Sequence, residues 1–169
     1  MTTQDSSVFL AQAAVGQTDG GETIYNKVAF SVHRNGVNFN LASSATPTKI
    51  LFTTREFDQD SSYDITTNHN FAPKPGKYCL MGAARATGAV VDQGVIVVSI
   101  YKNGAQWKSG VFSTVSGTGN AVGSFVSCIV IADPGDVFDL RVAQVNGTAT
   151  TIAITGQQTD TWFQGFQIG

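Results

Sequence analysis

Gly94-Val95-Ile96-Val97-Val98-Ser99-Ile100-Tyr101-Lys102-Asn103-Gly104 is the stretch on which the fold turns. Apolar residues occupy both faces of the strand it would form, and β-branched side chains supply most of them. The Asn-Gly pair at its end provides the positive φ angles of a tight hairpin. A second run, Phe125-Val126-Ser127-Cys128-Ile129-Val130-Ile131, has the same character. A strand apolar on both faces is buried on both faces. An opposing sheet covers one face. The other is expected to need a second subunit, because a lone sandwich leaves its outer faces wet.

Outward from these runs, short apolar segments alternate with Gly, Asn, Asp and Ser. Strands are predicted at 28–32, 37–41, 49–53, 77–85, 94–102, 106–114, 123–132, 137–145, 150–155 and 161–168. Asn35-Gly36, Asn146-Gly147 and Asp133-Pro134-Gly135-Asp136 supply further turns. Residues 1–24 lack this pattern and are rich in Thr, Gln, Ser, Gly and Ala. The chain therefore divides into an N-terminal docking or anchoring extension, 1–24, and a globular head, 25–169. Composition agrees with an all-β class. Val, Ile and Thr number 18, 10 and 19 among 169 residues, against five Leu and two Glu.

Only 13% of residues are charged, about half the roughly 25% usual for soluble domains. The net charge of −2 and the scattered Lys and Arg give no footprint for nucleic acid. No run reaches the roughly 18 apolar residues of a membrane span. No Lys or Arg precedes the short patch Val8 to Ala11, so no secretory leader is expected. Cys79 and Cys128 lie in strand-like runs and read as buried thiols.

Several segments together resemble the complement component 1q-like globular head, a relative of the tumour necrosis factor jelly roll. Phe71-Ala72-Pro73-Lys74-Pro75-Gly76-Lys77-Tyr78 resembles its Phe…Pro…Gly-x-Tyr signature. Ala29-Phe30-Ser31-Val32 looks like its first strand, and Lys49-Ile50-Leu51-Phe52 followed by Phe57-Asp58 and Tyr63-Asp64 like its second-strand region. Lys102-Asn103-Gly104, Gly135-Asp136 and Phe163-Gln164-Gly165-Phe166 continue the pattern in the same order, so that it covers roughly 28–169. The resemblance implies a ten-stranded jelly-roll sandwich and a homotrimer. It implies trimer contacts near the first and last strands, with Phe30, Trp162 and Phe166 as candidates. Pro73 and Pro75 would stiffen entry to a core strand, Gly76 would relieve crowding, and Asp136 would cap its turn through backbone N–H groups.

Catalytic chemistry is not expected. His33 and His69 share no metal-ligand spacing with another His or Cys, and no Gly-x-Ser-x-Gly elbow occurs. Gly117 to Gly123 echoes a dinucleotide loop without a helix to follow it. No cofactor is implied, except that the oxygen-rich loop carrying Asp58, Asp60 and Asp64 could hold calcium. That loop lacks a bidentate Glu, and a solvated turn is the default reading. Asn146-Gly147-Thr148 matches a glycosylation acceptor but reads as a hairpin turn.

With no collagen-like stalk and no leader, the resemblance points to heads displayed on tailed-phage particles, as a fibre tip or capsid decoration. The expectation is a non-enzymatic virion protein that attaches to a host-surface protein or glycan through loops 86–93 and 115–122. Residues 1–24 would bind other virion proteins. The alternative is a secreted complement 1q-like ligand or lectin.

Overall fold

The computed structural model describes residues 18–19, 22–23, 28–42, 44–87, 95–114, 121–145 and 151–168. Most of the extension 1–24 given a docking role, most of loops 86–93 and 115–122, and the Asn146-Gly147 turn lie outside the described residues. In chain order the strands are β1 (Thr18–Asp19), β2 (Glu22–Thr23), β3 (Ala29–His33), β4 (Phe39–Leu41), β5 (Ser44–Lys49), β6 (Thr54–Asp58), β7 (Tyr63–Asp64) and β8 (Asn70–Phe71). They continue with β9 (Gly76–Thr87), β10 (Val95–Lys102), β11 (Ala105–Ser109), β12 (Ser113–Thr114), β13 (Val122–Ala132), β14 (Phe138–Val145), β15 (Ile152–Ile154) and β16 (Trp162–Gln167). One 3-10 turn, Gln59–Ser61, is the sole helical element among the described residues.

Two seven-stranded antiparallel sheets form the jelly roll. The first runs β11-β10-β14-β8-β7, with β12 also on β10 and β5 on β14. The second runs β4-β15-β9-β16-β3-β6, with β13 along the other side of β9. Between the sheets, Ile96, Val98 and Ile100 of β10 meet Leu80 of β9, Val126 of β13 and Phe163 of β16 in one core. Phe30 is the hub of an aromatic layer, 4.3 Å from Phe71, 5.1 Å from Phe163 and 5.4 Å from Tyr63. Each such ring contributes roughly 1.5–3 kcal/mol by leaving water. Phe30 is therefore a core residue at 0% exposure, and it is withdrawn as a contact between chains.

Two pieces of the sequence pattern prove to be turn assemblies. Tyr78 donates its hydroxyl to the Lys74 carbonyl at 2.9 Å and meets the Phe71 ring edge-on at 5.4 Å. This fastens the Pro73–Gly76 approach to the start of β9. Gly76 takes φ of 157°, a conformation side chains rarely adopt, and a Cβ there would also push aside the Gln167 carboxamide, 2.9 Å away. The second assembly knits two turns together. Asn103 and Gly104 take φ of 53° and 79°, as the hairpin requires. The Asn103 side chain donates to Asp136 at 2.6 Å and accepts the Val137 N–H at 2.9 Å. Asp136 also accepts the Asp133 N–H and pairs with Lys102, both at 2.7 Å. Gly135, at φ 86°, completes the reversal.

Three expectations change. Lys49 ends β5 opposite Arg141, and residues 50–53 then cross between the sheets instead of pairing as a strand: Ile50 donates its N–H to Leu140 of the first sheet, and Thr53 to His33 of the second. Alternation persists there because Ile50 and Phe52 point into the core while Leu51 points out. The expected strand 106–114 breaks at Gly110, which donates to the Val98 carbonyl while Val111 donates to Phe125, joining the edges of both sheets. A Cβ on Gly110 would fall 2.2 Å from the Phe125 oxygen. The second face of β10 needs no partner chain. Tyr101 lies under the Arg141 guanidinium at 4.1 Å, Ser99 bonds Ser109 at 3.0 Å, and both are buried by their own chain.

Candidate interaction face

The outward side of the second sheet behaves differently. Strand register sets its side chains in rows across four strands. Phe125, Ala83, Trp162 and His33 form the first row; Ser127, Met81, Gln164 and Ser31 the second; Ile129, Cys79, Phe166 and Ala29 the third. Ile131 and Lys77 stand opposite each other beyond them. Ile129, Ile131, Phe125 and Phe166 are 65%, 60%, 44% and 43% exposed. Lys77 is the one charged residue among these fourteen positions. Trp162 is half-buried, its ring 6.1 Å from Phe125. Phe163, the neighbour of opposite parity, is wholly buried.

Both cysteines are free and half-buried rather than fully enclosed. Cys79 belongs to the outward rows; burial, with Cys79 nearby, pushes the Cys128 thiol up to about 11. It stays protonated and unreactive near neutral pH.

At the β3–β6 margin of this face the character turns polar. Pairing between β3 and β6 slips by one residue, leaving Glu56 without a partner between Arg55, opposite Val32, and Phe57, opposite Ser31. The bulge turns Glu56 toward Ser31, whose hydroxyl donates to the Glu56 carboxylate at 3.0 Å. His33, 7% exposed, accepts the Asn35 N–H on Nδ1 at 2.9 Å. A hollow of about 260 Å³ opens here, bordered by these residues together with Trp162, Gln158 and Gln164. Sequence reasoning does not find this hollow, because a bulge leaves no mark in the order of residues.

The three aspartates proposed for calcium do not converge. Asp58 pairs with Arg55 at 3.0 Å and accepts the N–H groups of Ser62 and Tyr63. Asp60 pairs with Lys74 at 2.7 Å. Asp64 caps its own turn, accepting the N–H groups of Thr66, Thr67 and Asn68, which hold its carboxyl far below the usual range. Each carboxylate is engaged by local donors or a cation. Among the described residues no three His, Cys, Asp or Glu side chains gather as a metal site, so the calcium expectation is withdrawn. No helix among the described residues is long and apolar enough to cross a membrane.

No family model and no curated protein matches the sequence. Solved structures do. The globular domain of zebrafish complement 1qA aligns over 84% of this chain and 98% of its own, with TM-score 0.55 and 18% identity. Eiger TNF from S. frugiperda aligns over 85% and 94%, with TM-score 0.61 and 12% identity. Murine APRIL aligns over 84% and 99%, with TM-score 0.56 and 11% identity. The chain has the complement 1q/TNF jelly-roll fold. At these identities the likeness is one of fold.

Proposed function

We propose that the chain is a non-enzymatic binding head that works as a homotrimer. One observation carries this reading: the outward side of β13, β9, β16 and β3, where Lys77 and Arg85 are the only Lys, Arg, Asp or Glu, leaves Phe125, Ile129, Ile131 and Phe166 in water. Large contiguous apolar surface on a folded chain marks a contact with another protein surface. A second copy of the chain is the partner that explains both the face and the low overall charge. The likeness to the complement 1q-type head supports three copies, and a trimer would present three identical binding surfaces whose weak contacts add through effective concentration.

The comparisons favour the setting of a secreted complement 1q-like ligand or lectin over display on a virion, which the sequence pattern alone suggests. In either setting Phe166 and Trp162 are proposed as contact residues, and residues 1–24 as the attachment segment. Light scattering coupled to gel filtration tests the assembly: the expected mass is that of three subunits. Ile129→Asp is expected to yield a folded chain of single-subunit mass, since a charge there is tolerated by water but not by a dry interface. A wild-type chain that stays monomeric at micromolar concentration overturns the reading. Mass-spectrometric detection in secreted medium, against detection in purified virus particles, separates the settings.

A further inference from the structure

The polar hollow at the β3–β6 margin has the chemistry of a ligand site. His33 is nine-tenths buried and uses Nδ1 to accept the Asn35 N–H, so in the neutral ring the proton is on Nε2. No hydrogen bond is made through Nε2 among the described residues, and His33 borders the hollow. Glu56 is held on one oxygen by Ser31, leaving its other oxygen as an acceptor. The hollow thus sets an N–H donor and a carboxylate acceptor beside the carboxamides of Gln158 and Gln164 and the indole of Trp162.

That inventory selects among ligand types. An anion would meet the Glu56 carboxylate with no Lys or Arg lining the hollow. A cation could use Glu56 but would leave the His33 donor unanswered, since an ammonium accepts no hydrogen bond. A hydroxyl donates and accepts at once, and so satisfies both. Several hydroxyls on a compact ring would also engage the two carboxamides, while the indole offers apolar surface to the ring's C–H groups. About 260 Å³ is small beside the several hundred Å³ usual for drug-sized ligands, and it suits a single ring. We infer that the hollow bordered by His33, Glu56, Gln158 and Trp162 binds one uncharged sugar residue, such as the terminal unit of a glycan. The inference deepens the binding-head reading by naming its ligand class, and it rests on that reading only for the presence of three sites per assembly. The hollow lies at the β3–β6 margin of the second sheet and shares Trp162 with the proposed contact face.

Saturation-transfer NMR on the full chain tests it, with glucose, galactose, mannose, fucose and N-acetylglucosamine as probes and choline and sialic acid as charged controls. At least one neutral sugar is expected to show transfer. Glu56→Ala and Gln158→Ala, both at exposed positions, are expected to weaken it, Glu56→Ala about tenfold or more, the scale of a lost hydrogen bond to a charged group, and Gln158→Ala about fivefold, the scale of a neutral one. Absence of transfer to every neutral sugar overturns the inference, as does binding of the charged controls alone or binding unchanged in both variants. Light scattering on the same samples keeps the two readings apart. A three-subunit mass without sugar binding sinks the site and leaves the head; sugar binding by a single-subunit species does the reverse.

Discussion

Tyr63 is wholly buried in the aromatic layer, and its hydroxyl has no hydrogen-bond partner among the described residues. Burial first, and then the charges of Asp139 and Asp64, push the phenol well above its ordinary pKa. Desolvating an unanswered hydroxyl costs about 1–3 kcal/mol, so Tyr63→Phe is expected to leave the melting temperature unchanged or raise it. A clear fall on calorimetry contradicts this. Asp136 behaves in the opposite way. Lys102 above all, then the Asp133 N–H and Asn103, hold its carboxyl at about 2, against 3.8 for an unperturbed aspartate. A pKa lowered by folding adds stability that is complete above the unfolded value and fades as pH falls toward the folded one. Stability should therefore drop between about pH 4 and pH 2. Asp136→Asn is expected to be less stable at neutral pH and to flatten that part of an acid denaturation curve.

At the scale of single strands, β16 depends on its glycine. A Cβ on Gly165 would fall 2.5 Å from Leu80 and 2.9 Å from the Phe30 ring. Gly165→Ala is expected to cost about 1–3 kcal/mol in urea denaturation, the usual range for overpacking. Gly123→Ala on β13, whose Cβ would come no nearer than 3.7 Å to anything, should stay within about 0.5 kcal/mol of wild type. Equal effects at both sites would show that packing does not set the requirement at Gly165. The strands themselves were largely readable in the sequence, because Ile96, Val98 and Ile100, or Phe163 against Phe166, follow the period of a pleat. What was not readable were events that preserve the period while changing the partner. The 50–53 crossing keeps its inward and outward alternation though its hydrogen bonds go to two sheets. The Glu56 bulge inserts one residue that only the register across β3 reveals. Phe30 was misplaced for a related reason: strand parity fixes which residues share a side, but not which side is the core.

For the molecule as a whole, the scarcity of charge becomes a statement about how copies hold together. With Lys77 and Arg85 the only Lys, Arg, Asp or Glu on the outward side of β13, β9, β16 and β3, the proposed assembly depends on burying Ile129, Ile131 and Phe166 rather than on ion pairs. Raising sodium chloride to about 1 M, where the screening length shrinks to about 3 Å, is expected to leave the three-subunit mass intact. Dissociation by salt alone would show that charge, not apolar contact, holds the subunits. The sequence already carried the architecture and the apolar outward side of β13, where Phe125, Ile129 and Ile131 are exposed. The polar margin was hidden from it, since Ser31, His33, Glu56 and Gln158 are scattered over more than a hundred positions and meet only through the sheet.

The order of strands also bears on how the chain is made. β16, the last strand, lies between β3 and β9, so the sheet has a gap at its middle until the final residues are added. A nascent chain still missing Trp162–Gln167 exposes two strand edges together with the aromatic layer that Phe163 completes. Closure of this sheet must therefore wait until residues 162–167 have left the ribosome, and any product cut short before residue 162 becomes a substrate for proteolysis or aggregation instead of a shortened but working head.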